Sequence, residues 1–234
     1  MRSAVLLVAV LMSVPALAQT PADFPPAISV TGEAQISVAP DIAFVDAGVA
    51  TDARSAREAS EANNAAMAKV FVALKAANID ARDVQTSRLS LQPQYAPNRS
   101  GPSPIVGYRA SNRVTVRIHD VSKVAGVIDT LVGAGANDIG NVAFEVSQAS
   151  RLLDEAREKA VVDARRKAEI YAKAAGVTLG APLSIAEGGG PVPLFRAKVA
   201  AAPMATSVPI AAGEETLSVT VNVSWGIKPV QPAQ

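Results

Sequence analysis

Apolar residues recur at every second position through several stretches of this chain and at every third or fourth position through three others. Strands interleaved with helices follow from that change of period. The first two strands fall at 28–38 and 42–51, separated by the turn signal Ala39-Pro40-Asp41. Residues 53–77 then form a helix, with Met67, Val70, Phe71 and Leu74 on one apolar stripe, Asp52 as the candidate cap and Asn78 as the stop. Strands follow at 84–95 and 105–118, joined by a proline-rich loop at 96–104. In the second of these, Val106, Tyr108, Ala110, Val114, Val116 and Ile118 share one face, while Arg109, Arg113 and Arg117 share the other. Asp120 caps a second helix with Val124, Val127, Ile128 and Leu131 inward, and Gly133-Ala134-Gly135 ends it. After a strand at 139–146, the longest helix covers 150–175 and carries Ala156, Ala160, Ala164 and Ala168 as a ridge of small residues. Its other faces hold the pairs Glu155–Lys159 and Asp163–Lys167. Gly176 terminates it, and strands at 183–186 and 216–225 complete the series.

These elements define an α+β fold: a mainly antiparallel sheet with helices packed on one face. Residues 42–146 read strand–helix–strand–strand–helix–strand, the split βαβ (βαββαβ) core, to which the outer strands, the long helix and the C-terminal strand add. The domain is expected over 28–228, between a flexible lead-in at 19–27 and a flexible tail at 229–234. Within it, 188–213 is rich in Gly, Pro and Ala yet carries Val192, Leu194, Phe195, Val199, Met204, Val208 and Ile210. Loops that long are usually functional or disordered, but pure disorder seldom carries so much apolar material, and the segment is read as a loop or as an arm that packs on a neighbouring subunit.

The N-terminus changes the picture of compartment. Arg2 precedes a short apolar run at 4–14, Pro15 breaks it, and Ala16-Leu17-Ala18 offers a small-x-small cleavage site. This is the layout of an export signal over 1–18, with Gln19 as the new N-terminus; the run is too short to span a bilayer. Without Arg2 the basic residues equal the 21 acidic ones, so the net basic field of a nucleic-acid binder is missing. Cysteine is absent, which removes disulfides, thiol redox chemistry and a lipidated N-terminus.

No catalytic, cofactor or metal site is legible. His119 is the single histidine and sits beside Asp120 at a strand end, the setting of a surface or capping residue. Glu33, Asp41 and Asp46 are not brought together by any spacing. Gly133-Ala134-Gly135 follows a helix where a dinucleotide loop would follow a strand, and Gly188-Gly189-Gly190 lacks the lysine and helix start of a P-loop. The most specific surface feature is the Arg109, Arg113, Arg117 stripe, read first as a solvated row with salt bridges to neighbouring strands and second as a contact for a subunit or a lipid headgroup.

The chain resembles the SIMPL-domain family, and within it the periplasmic immunogenic proteins of alphaproteobacteria. The resemblance is carried by Val30-Thr31-Gly32-Glu33-Ala34, Ala39-Pro40-Asp41-Ile42-Ala43, and Val106-Gly107-Tyr108-Arg109-Ala110-Ser111-Asn112. It continues through Gly133-Ala134-Gly135-Ala136-Asn137, Phe144 and the alanine-rich helix, in that order along the chain. It implies an α+β fold, an envelope location, large homo-oligomers of channel-like form and a link to oxidative-stress tolerance, with no established catalytic residues. The first functional reading is therefore a non-enzymatic, self-assembling periplasmic protein, free or in peripheral contact with the outer membrane, with no cofactor and no nucleic-acid partner. The alternatives are a monomeric small-ligand-binding or stress-protective protein and, last, a hydrolase dependent on His119 or a carboxylate.

Overall fold

The computed structural model describes residues 25–97, 103–188, 194–196 and 210–229, with 194–196 as backbone alone. The segment expected to be an export signal and the tail beyond Pro229 lie outside the described residues. Along the chain run β1 (Ala27–Val38), β2 (Ile42–Ala53), α1 (Ala56–Ala76), β3 (Val84–Tyr95), β4 (Ile105–Ile118), α2 (Val124–Gly133) and β5 (Asp138–Glu145). They are followed by α3 (Ala149–Ala174), β6 (Val177–Gly188), β7 (Leu194–Arg196) and β8 (Glu214–Pro229).

The α+β class and the antiparallel pairing are as expected, but the strands divide between two sheets. The split βαβ core forms one, in the order β3-β4-β2-β5, antiparallel throughout. The expected continuation of this sheet by the outer strands does not occur. Instead β1 pairs with β8 from Ala27↔Gly226 to Val38↔Glu215, and β6 and β7 also pair with β8. The reason is the helix supply. The apolar stripes of α1 and α2 cover the first sheet, with Met67, Val70, Leu74, Val124, Val127, Ile128 and Leu131 against Val45, Val49, Val114, Val116 and Ile118. The alanine stripe of α3 covers the second, against Val219, Val221, Val223 and Trp225. Each sheet thus has its own helical layer and its own core.

Local chemistry sets the boundaries. The first helix begins at Ala56, not at 53, because Ser55 and Glu58 form a reciprocal capping box. Asp52, the expected cap, remains in β2. Asn78 ends the helix in the left-handed region at φ 60°, a conformation asparagine tolerates better than most residues. Val177–Gly188 is a full strand where only 183–186 was expected; Pro182 sits at a register shift on this edge strand, where a missing N–H is tolerated. Arg157 of α3 bonds both Asp154 and Glu187, tying the helix to β6. At the other end of the domain, Pro26 accepts a hydrogen bond from the Ile227 N–H at 3.1 Å, so the chain is already anchored at the end of the expected lead-in.

Candidate interaction surfaces

The motifs that marked the sequence are structural joints. At Gly32, β1 passes so close to α3 that a Cβ would fall 2.7 Å from both Ala164 Cβ and Ala164 N. The flanking peptides are held by the same helix: Glu33 N–H donates to Asp163 Oδ2 at 3.1 Å, and Lys167 Nζ donates to Thr31 O at 2.8 Å. Asp163 also pairs with Arg166 and Lys167, at 2.6 and 2.7 Å, and these donors hold its carboxyl well below the usual carboxylate range. Asp41, in the turn between β1 and β2, accepts from both the N–H and the hydroxyl of Ser147, which lowers its pKa. That bond fixes the passage from the first sheet to α3. Asn137 exchanges two 2.8 Å hydrogen bonds with the backbone of Ala50. Gly135, at φ 104°, makes the turn that aims it. Glycine is the residue for which that conformation is easy.

The arginine stripe lies on the face of β4 turned away from α1 and α2. Two of its members are engaged. Arg109 makes two 2.8 Å bonds to Asp52 of the neighbouring strand, and Arg113 reaches Asp138 at 2.6–2.7 Å. These hydrogen bonds depress the pKa of Asp52 and raise that of both arginines. Arg117 makes no hydrogen bond or ion pair among the described residues; Asp41 feels only its through-space attraction.

Of the apolar residues at 188–213, Ile210 packs against the core of the first sheet of its own chain. Leu194 and Phe195 lie in β7, whose backbone pairs with Thr216 and Glu215 of β8. Val192, Val199, Met204 and Val208 fall outside the described residues.

An apolar surface that the sequence pattern did not single out lies at the free end of the β3–β4 hairpin. Leu89 and Leu91 pair with Asn112 and Ala110, on the helix-bearing face. Along that face of β4, Ile118, Val116, Val114 and Ala110 are buried, Tyr108 is half-buried and Val106 is exposed. The hairpin therefore runs out beyond its helical cover, leaving Leu89 70% and Val106 58% exposed, with Leu91, Tyr95 and Ile105 of the same two strands exposed as well. The signal was the continuation of inward-facing apolar positions over more strand than α1 and α2 can cover.

Two adjoining hollows flank the C-terminal end of α1 and share Asn78, Ile79 and Asp80 as walls. The larger, about 520 Å³, is lined by Phe71, Leu74, Lys75 and Val84. Phe71, expected in the core, is 42% exposed there, because the helix stripe overruns the edge of the sheet. The smaller, about 250 Å³, is lined by Asp83, Arg117, His119, Asp120 and Lys123. His119 Nε2 lies 3.0 Å from Asp83 Oδ1, and no serine or threonine hydroxyl lines this hollow to complete a nucleophile–base relay. Among the described residues no group of three His, Asp or Glu side chains is placed to hold a metal ion, and no helix is long and apolar enough to cross a membrane.

Known proteins align with this architecture along most of its length. The chain is 40% identical over 215 residues to the 26 kDa periplasmic immunogenic protein of Brucella melitensis, covering 87% of this chain and 86% of that protein. It is 31% identical over 189 residues to the uncharacterized protein YggE of Edwardsiella ictaluri, covering 79% of each. It is 28% identical over 242 residues to the uncharacterized protein YggE of Escherichia coli K12, covering 100% of this chain and 98% of that one. The model of SIMPL, a protein of unknown function (DUF541), matches residues 28–225, from the start of β1 to Trp225 of β8, and the chain belongs to that family.

Proposed function

We propose that the chain is a non-catalytic periplasmic protein that works by self-assembly in the cell envelope, contributing to envelope integrity or oxidative-stress tolerance. The observation that carries the reading is the apolar end of the β3–β4 hairpin, where Leu89, Leu91, Tyr95, Ile105 and Val106 are each exposed, beyond the cover that α1 and α2 give. Contiguous apolar surface on a folded domain marks a contact. The expected export signal, and the word periplasmic in the Brucella relative's name, support the periplasm as the setting of the proposed contact. Ile210 turns inward to its own core, so the assembly surface is assigned first to the hairpin and only second to the 188–213 arm. Arg117, the one stripe member without a direct partner among the described residues, is the residue of that row left to meet an acidic subunit or a lipid headgroup.

Light scattering on the mature protein, over a range of concentrations and salt strengths, tests this reading. A discrete oligomer is expected, and Leu89→Asp with Val106→Asp should shift it to monomer while leaving the far-ultraviolet circular dichroism unchanged. A wild-type protein that stays monomeric throughout would remove assembly as the function.

A further inference from the structure

We propose that the two hollows at the end of α1 form one binding site for an amphipathic carboxylate, a medium-chain alkyl acid whose tail lies in the larger hollow and whose head meets Arg117 in the smaller. The larger hollow, at about 520 Å³, falls in the range of small-molecule sites, ~300–1,000 Å³. Its apolar walls are Phe71, Leu74, Ile79 and Val84, with Lys75, Asn78 and Asp80 at the rim, and Phe71 turns apolar surface to solvent. Such a surface favours an alkyl chain over a polar ligand.

Charge selects the head. Among the acids lining the hollows, Asp80 is paired with Arg82 at 3.1 Å, Asp83 with His119 at 3.0 Å, and Asp120 with the N–H and hydroxyl of Ser122 and with Lys123 at 3.5 Å. The two cations that remain without a direct partner among the described residues are Lys75, in the larger hollow, and Arg117, which borders the smaller at the end of β4 and is also drawn toward Asp41. The negative end of the α1 dipole does not oppose an anion strongly here. Its last carbonyls are occupied, Ala73 O by Ala77 N–H, Leu74 O by Ile79 N–H and Lys75 O by Asn78 N–H, and Lys75 lies in the last turn. An apolar trough with unpaired cations and committed carboxylates favours an alkyl carboxylate over an alkyl ammonium. The site is separable from the hairpin contact, because Phe71 and Arg117 lie away from the free end of the hairpin; Arg117 is assigned here to the ligand head and not to a subunit.

Calorimetric titration of the mature protein with decanoate tests it, with decanol and decyltrimethylammonium as the neutral and cationic probes of the same tail. Saturable one-site binding of decanoate is expected, with the ammonium weaker than the alcohol. Arg117→Gln should weaken decanoate about fivefold to tenfold, the loss of one charge-assisted contact, and leave decanol unchanged. Phe71→Ser should weaken both about tenfold. In the wild-type protein, decanoate should shift the backbone amide resonances of Phe71, Ile79, Val84 and Arg117. Absence of saturable decanoate binding, equal affinity for the ammonium, or shifts confined to other residues would each overturn the proposal.

Discussion

Replacing Gly32 by alanine places a methyl group where β1 and α3 have no room. The added Cβ would sit 2.7 Å from Ala164 Cβ and Ala164 N, and closer still to the Ala160 carbonyl oxygen. Carbon atoms pack at about 3.5–4.0 Å, so the helix must retreat by roughly 1 Å. It cannot do so locally. Ala156, Ala160, Ala164 and Ala168 lie in one buried line against the sheet, and a gap of that size forfeits about a quarter to a half of the dispersion energy along it. The retreat also stretches the Asp163–Glu33 and Lys167–Thr31 bonds. Overpacking of this kind costs about 1–3 kcal/mol. The upper end applies here, and about 3 kcal/mol corresponds to a loss of roughly 6–12 °C in Tm for a domain of this size. Trp225, the single tryptophan, is buried beneath α3, so its fluorescence during urea unfolding reports the relevant core. Gly126→Ala in α2 is the matched control. A Cβ there meets nothing within 4 Å, and the change should stabilise by about 0.5–1 kcal/mol through helix propensity. A Gly32→Ala protein within about 0.5 kcal/mol of wild type would refute the close-packing argument.

Three further outcomes follow from buried or charged groups. Asn63, 1% exposed, donates to Val49 O and Ala110 O at 2.7 and 3.2 Å. Asn63→Asp removes both donors and faces a carboxylate with carbonyl oxygens, so urea denaturation at pH 7 should show a loss of about 3 kcal/mol or more that narrows as the carboxyl is protonated. Asp163 has a depressed pKa, so its contribution is present above the unfolded carboxylate value and is lost as pH falls through the lower folded one. Asp163→Asn should cost about 1–2 kcal/mol at pH 7 and flatten the acid limb of the stability curve below about pH 4, a difference that should vanish in strong acid. Burial, and then the nearby Glu145, raise the pKa of Glu215, so the protonated form is favoured in the fold and stability falls as pH rises through the folded value. Glu215→Gln should therefore raise Tm at pH 7 and have little effect at pH 3; a lower Tm at pH 7 would contradict the assignment.

What the sequence made legible was local. Met67, Val70 and Leu74 marked the buried stripe of α1, and Val114, Val116 and Ile118 marked the buried face of β4, because each period follows from one element's geometry. The alanine ridge likewise announced close packing on α3. The division into two sheets was not legible. β1 and β8 pair residues nearly two hundred positions apart, and alternation says which way a side chain points without naming the strand beside it. The helix start was available in Ser55 and Glu58 as a capping box, but Asp52 was the more prominent acid; its carboxylate serves Arg109 instead. The arginine stripe was correctly placed on one face, yet which of its members stay unpaired depended on Asp52 and Asp138 arriving from other strands. Phe71 fitted the helical stripe and still emerged at the surface, because periodicity does not reveal where the sheet beneath ends.

The clamp around Gly32 has a bearing on how copies of this protein can join. β1 is a border strand of its sheet, and its outward peptide groups would ordinarily invite another chain to add a strand. At Thr31 and Glu33 those groups are already taken by Lys167 and Asp163 of the chain's own helix. Two side chains thus occupy the hydrogen-bonding border in mid-strand and oppose the addition of another chain's edge strand along β1. Loosening them by Asp163→Asn with Lys167→Ala would expose a continuous border. Such a protein would be liable to pair strand to strand at β1, seen as a rise in mass by light scattering, where the native border opposes that pairing.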